Sequence, residues 1–102
     1  MKKAVQIDEG DNVATVTSNV SEGETMEVIS PEGAIVLRPK ALEAIPFGHK
    51  VALTEFDLGD TIIKYGEIIG VASRSIGVGA WVHTHNVESA TVPTSALQEG
   101  EP

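Results

Sequence analysis

The chain contains no cysteine. That excludes disulfide reinforcement, thiolate nucleophiles and Cys-based zinc sites, and it fits a reducing cytoplasm, the expected location. Bases are scarce: seven Lys and Arg stand against fifteen Asp and Glu, a formal charge of −8. Binding to a phosphate backbone or an anionic membrane surface needs a clustered excess of Lys and Arg, so neither nucleic acid nor membrane is an expected partner. Long hydrophobic runs are also missing. The longest fall far short of the ~20 residues that cross a bilayer, and no membrane span is expected. Met1-Lys2-Lys3 leads into Gln6-Ile7-Asp8-Glu9 and not into an apolar stretch, so no secretory leader is expected. Aromatics make up only 4% of the residues.

What remains is 102 residues and 10.7 kDa, enough for one domain. A chain of this mass buries roughly 64% of its unfolded surface, which supports a modest core. A hydrophobic content of 41% argues against wholesale disorder. Charge is unevenly spread, with net −4 over 1–45, −1 over 46–86 and −3 over 87–102. The nearly neutral middle also holds every aromatic (Phe47, Phe56, Tyr65, Trp81), every histidine (His49, His83, His85) and six of the ten glycines. Large rings carry much of the packing area in a small domain, so the middle is where function is sought.

The secondary-structure signal is β. Val13–Thr17 alternates apolar and polar residues, and Met26–Ile29 and Ala34–Leu37 do so less strictly. Further strands are predicted at His49–Thr54, Thr61–Lys64, Ile68–Ala72 and Ala80–Asn86, separated by Gly- and Pro-containing turns. Pro39–Pro46 reads as one helical turn, its length limited by the two prolines. Short strands so punctuated indicate an all-β fold, compact and barrel-like or a clipped sheet. Residues 1–90 form the expected domain, and the polar 91–102 a tail or docking arm.

Chemistry concentrates in Trp81-Val82-His83-Thr84-His85-Asn86. On a strand, His83 and His85 share a face, where two imidazoles can converge on a metal; hydrogen-bonded histidines in a half-buried sheet are the alternative. Asn86 either orients a substrate hydroxyl or closes a turn. His49 can serve as acid, base or ligand. Lys50 and Lys64 are anchors for a carboxylate or sulfonate, or solvated strand residues with packed stems. Tyr65 places a phenol beside Lys64 at a turn. Gly77-Val78-Gly79 lacks the third glycine of a dinucleotide fingerprint, and neither a phosphate loop nor a nucleophile elbow is present.

Three ordered blocks complete the reading: Gly48–Leu53, Gly59–Ala72 and Ile76–Asn86, with Asp11-Asn12-Val13-Ala14 ahead of them. Over roughly residues 11–87 the chain closely resembles the altronate and galactarate dehydratase family and the small subunit of the related sulfolactate sulfo-lyase. The resemblance implies an SAF-type β-clip domain that accompanies a larger catalytic region. It also implies a lyase that removes water from a sugar acid with a divalent metal, Fe2+ or Mn2+, or one that expels sulfite. His49, Lys50, Lys64, Tyr65, His83, His85 and Asn86 match the family's motif. Ser75 stands where the family often carries Asp, which weakens any carboxylate role there, and Trp81 stands where some relatives have another histidine.

On this resemblance His83 and His85 are assigned to the metal or leaving-group end, His49 to proton transfer and Lys64 to carboxylate binding. Lys50, Tyr65 and Asn86 are assigned to substrate contact. The implied partners are a large dehydratase subunit and a small anionic hydroxy acid, because so small a β-domain does not by itself enclose a sugar-acid pocket. A binding module with structural histidines is a competing reading. So is a self-associating structural protein, a homo-oligomer joined through short edge strands.

Overall fold

A computed structural model describes residues 1–89, and the expected tail at 91–102 lies outside them. The described residues are all strand and turn, as the punctuated β pattern predicts. One sheet contains β1 (Lys2–Val5), β2 (Val13–Val16), β3 (Met26–Ile29), β4 (Ile35–Leu37), β5 (Lys50–Ala52) and β8 (Trp81–Val82), in the order β4-β3-β1-β2-β5-β8. A smaller sheet contains β6 (Thr61–Lys64), β7 (Glu67–Ala72) and β9 (Val87–Glu88), in the order β6-β7-β9. Neighbouring strands are antiparallel except for β1 and β3, which run parallel. The strands form two packed sheets and not a closed barrel.

Within the large sheet β2 and β5 are buried on both faces, and side-chain parity divides their residues between two cores. Ala14 and Val51 face one core with Val16, Val28, Met26 and Ile45, and Trp81 packs against it. Val13, Ala52 and Val82 face the other with Phe56, Ile62, Ala72 and Ile76. Consecutive apolar pairs such as Val13-Ala14 and Val51-Ala52 therefore break the one-sided alternation of a surface strand. Each fully buried Val or Ile contributes on the order of 1.5–3 kcal/mol by leaving water.

Two local expectations are overturned. Pro39–Pro46 is not a helical turn: the N–H groups of Ala41, Leu42 and Ile45 donate outside the segment, to the Glu24, Gly79 and Val20 carbonyls. Ala80–Asn86 is not one strand either. β8 ends at Val82, and residues 83–86 form a turn before β9.

The β6–β7 hairpin closes through Tyr65 and Gly66, with φ of 58° and 72°. Two successive positive φ values define the tight turn that matches strand twist, and they place a non-glycine residue in the left-handed region. Asp11 holds it there: one carboxylate oxygen accepts the Gly66 N–H at 2.9 Å, and the other accepts those of Tyr65 at 3.1 Å and Asp8 at 3.0 Å. Further along the hairpin, Ile62 pairs with Gly70 and Ile63 with Ile68, so Ile69 is the extra residue of a bulge. Among the described residues no helix is long and apolar enough to cross a membrane.

Candidate functional site

The candidate residues gather at the end of the large sheet where β5 and β8 pair through Val51↔Trp81 and Lys50↔Val82. Parity fixes their sides. Lys50 lies on the face of Val82, toward the second core, whereas His49 precedes it and falls on the face of Val51 and Trp81. His49 and Trp81 meet there: the indole Nε1–H donates to Nδ1 of His49 at 3.2 Å. The His83 ring stacks on the indole, centroids 5.3 Å apart and planes 7° from parallel, and it meets His49 edge-on at 4.9 Å. His85 lies 5.2 Å from the indole at 50°. The three histidines thus surround Trp81, a residue to which the sequence reading gave no chemistry.

His83 and His85 both lie against the Trp81 indole, placed there by a turn and not by strand parity. Asn86 makes that turn. It is 4% exposed, its Oδ1 accepts the His83 N–H at 2.9 Å, and its Nδ2 donates to the Trp81 carbonyl at 2.8 Å. Of its two sequence-based roles, the geometry supplies the turn-closing one. Glu43, not singled out in the sequence, accepts the Trp81 N–H at 3.2 Å.

On the other face of the sheet end lies an open cavity of about 290 Å³, lined by Lys50, His83, Thr84, Ile62, Ile69 and Glu88 among others. Lys50 reaches it from β5, and His83 reaches it around the sheet edge. Lys64 shares a strand face with Ile62, two residues away. Its Nζ sits 4.9 Å over the ring of Tyr65, whose side chain is exposed at the hairpin tip. Glu88 is a lining carboxylate that the sequence offered no means of separating from the other acids.

Two lysines, Lys50 and Lys64, act on the spot, and its lining also holds the Glu88 carboxylate. Burial first, and the Lys64 charge second, pull the Lys50 ammonium below the usual lysine range. Loss of water first, then the charges of His49, Lys50 and His85, hold His83 below the ordinary histidine value of 6.5. An anion entering here would relieve that mutual repulsion.

The implied divalent metal is less well served. Among the described residues no three His, Cys, Asp or Glu side chains group to hold a metal ion. His49 already accepts a hydrogen bond at Nδ1, and His83 and His85 come with no third donor among the described residues. The residues present do not by themselves fit a metal centre.

Comparison with known proteins gives the same family as the motif blocks. The model of the altronate/galactarate dehydratase SAF domain matches residues 2–90. The altronate dehydratase of Bacillus subtilis (strain 168) is 33% identical over 89 residues, covering 87% of this chain and 17% of that enzyme. The galactarate dehydratase (L-threo-forming) of Escherichia coli (strain K12) is 36% identical over 78 residues, 76% of this chain and 14% of the enzyme. The (2R)-sulfolactate sulfo-lyase subunit alpha of Paracoccus pantotrophus is 53% identical over 45 residues, 44% of this chain and 67% of that subunit. The aligned part of this chain is therefore a small fraction of the dehydratases and a larger share of the sulfo-lyase subunit. With nearly all of its described residues matched, the chain belongs to the altronate/galactarate dehydratase SAF domain family.

Proposed function

We propose that this chain is the small subunit of a lyase that eliminates water from a sugar acid, working with a large dehydratase subunit in the cytoplasm. The observation that carries the reading is the meeting of Lys50 and His83 at one open cavity, with Lys64 adding its charge, in a chain of net charge −8. A hydroxy-acid carboxylate is an anion of the size and charge such a site takes. Elimination next to a carboxylate passes the α-proton to a base, here assigned to the large subunit, and expels hydroxide from the neighbouring carbon, while negative charge builds on the carboxylate oxygens. Lys50 and Lys64 would stabilise that charge, and His83 would donate to a carboxylate or to the departing oxygen.

The cavity is open, Ile69 in its lining is partly exposed, and Ile68 and Tyr65 leave further apolar surface exposed on the same hairpin. An incomplete site flanked by apolar surface suits completion by a second polypeptide. The Fe2+ or Mn2+ of the family reading belongs to the proposal with most of its ligands on the large subunit, and His83 and His85 supply at most two.

A second reading is favoured by one comparison. The sulfo-lyase subunit alpha is matched over 67% of its own length at 53% identity. Sulfite expulsion from a sulfolactate needs the same carboxylate anchors and differs in the leaving group.

Two experiments test these readings. Titrating the labelled chain with galactarate and with (2R)-sulfolactate should move the Lys50 and His83 resonances, and Lys50→Ala should weaken binding about tenfold or more. In the reconstituted two-subunit enzyme, H83A/H85A should abolish turnover while assembly persists. Product analysis then separates water elimination from sulfite release. Full assembly-dependent turnover in H83A/H85A would reduce the domain to a binding module.

A further inference from the structure

We propose that Trp81 is a positioning residue that fixes His49 as the Nε2–H tautomer, making His49 a hydrogen-bond donor at the site and not a proton acceptor. Its role toward a ligand rests on the hydroxy-acid reading above, but the tautomer itself does not.

The chemistry is restrictive. An indole Nε1–H donates and cannot accept, and a neutral imidazole has one lone-pair nitrogen and one N–H. With the indole donating to Nδ1 at 3.2 Å, the lone pair is at Nδ1 and the proton at Nε2. Neither nitrogen is then free to take a proton. Nδ1 is occupied, and Nε2 already carries one.

The indole is not free to turn away. Its backbone N–H is held by the Glu43 carboxylate at 3.2 Å and its carbonyl by the Asn86 amide at 2.8 Å. The ring packs against the first core and carries His83 stacked at 5.3 Å. A donor fixed from several directions selects a tautomer more strongly than a mobile one, because rotating it away would break packing as well as a hydrogen bond.

His49 meets His83, a cavity-lining residue, with ring centroids 4.9 Å apart. A sugar acid that touches His83 and extends around the sheet edge reaches the His49 ring. A neutral N–H there would stabilise developing negative charge on a carboxylate or leaving oxygen without consuming a proton. This gives His49 a donor's part in place of the proton-transfer part that the family resemblance implies.

The test replaces the donor and keeps the ring. Nitrogen-15 spectra of His49 in the full chain should show a single neutral tautomer, protonated at Nε2. Trp81→Phe, and separately a benzothienyl isostere of tryptophan with sulfur in place of the N–H, should release it to a mixture. In the two-subunit enzyme these changes should lower kcat about 10- to 100-fold with KM moving less than about threefold. An averaged or Nδ1–H tautomer in the unaltered chain overturns the proposal. So does the isostere keeping Nε2–H, or a released tautomer with unchanged kcat. A fixed tautomer in a complex that turns over neither galactarate, altronate nor sulfolactate would instead count against the hydroxy-acid reading.

Discussion

Gly79 separates two costs that are usually entangled, and a pair of alanine substitutions measures them. Its φ is +90°, and a Cβ placed there would lie 2.1 Å from the Lys40 carbonyl oxygen, far inside the 3.0 Å that real Cβ contacts respect. The approach is backbone on backbone: the Gly79 N–H donates to Ala52 at 2.9 Å, and its carbonyl accepts from Leu42 at 3.0 Å. Gly79→Ala therefore incurs about 1–2 kcal/mol of left-handed strain. About 0.4–1 kcal/mol is offset by the stiffer unfolded chain. The 40–42 segment must then retreat by about an ångström, losing the Leu42 hydrogen bond, worth ~1 kcal/mol, and adjoining packing. The total is about 2–3 kcal/mol, or a fall in Tm of roughly 8–24 °C for a domain of this size.

Gly59 is the control. Its φ is +91°, with nothing within 4 Å of where a Cβ would lie, so Gly59→Ala carries the strain alone, about 1 kcal/mol net. Urea unfolding followed by the fluorescence of Trp81, the single tryptophan, reads both variants. Losses equal within about 0.5 kcal/mol would refute the close approach and, with it, the placement of the chain leading into β8.

Asp11→Ala should cost about 2–3 kcal/mol, because its carboxylate accepts three backbone N–H groups, and the hairpin amides of Tyr65 and Gly66 should shift most. Glu27 sits below its ordinary 4.5 because Lys3 donates to it at 2.9 Å, with Arg38 a lesser cause. Its folded value is the lower one, so its stabilisation is present above 4.5 and lost as pH falls through the folded value; the stability gap between wild type and Glu27→Gln should close in acid. His83 should titrate below an ordinary histidine, and galactarate should raise its midpoint, tightening binding as pH falls. A midpoint indifferent to galactarate would remove His83 from the anion site.

The strands that sequence patterning located best are those with branched apolar residues between glycine or proline turns, such as Met26–Ile29 and Thr61–Lys64. β1 escaped because its alternation rests on one alanine, Ala4, between exposed and half-buried neighbours. The run Ala80–Asn86 looks like a continuous strand because nothing within it breaks β structure. What ends it is the Asn86 amide, which takes the Trp81 carbonyl and the His83 N–H away from any ladder. The contact between His49 and Trp81, 32 positions apart, follows from the register Val51↔Trp81, which no local pattern encodes. Asp11 was legible as part of a motif, but its work at a turn 54 residues away was not.

The two-faced sheet also limits how a ligand can lie. Lys50 and His49 are consecutive, so parity sends them to opposite faces of the sheet end, Lys50 to the cavity and His49 to the indole. A ligand confined to the cavity meets Lys50 and His83 without His49. One that engages all three must pass around the sheet edge, where β8 is two residues long and His83 already spans both sides. A short acid held by a single carboxylate should therefore feel Lys50→Ala and ignore Trp81→Phe. A six-carbon diacid long enough to turn the edge should feel both. Equal sensitivity of glycolate and galactarate binding to Trp81→Phe would mean that the two faces do not act as separate halves of one site.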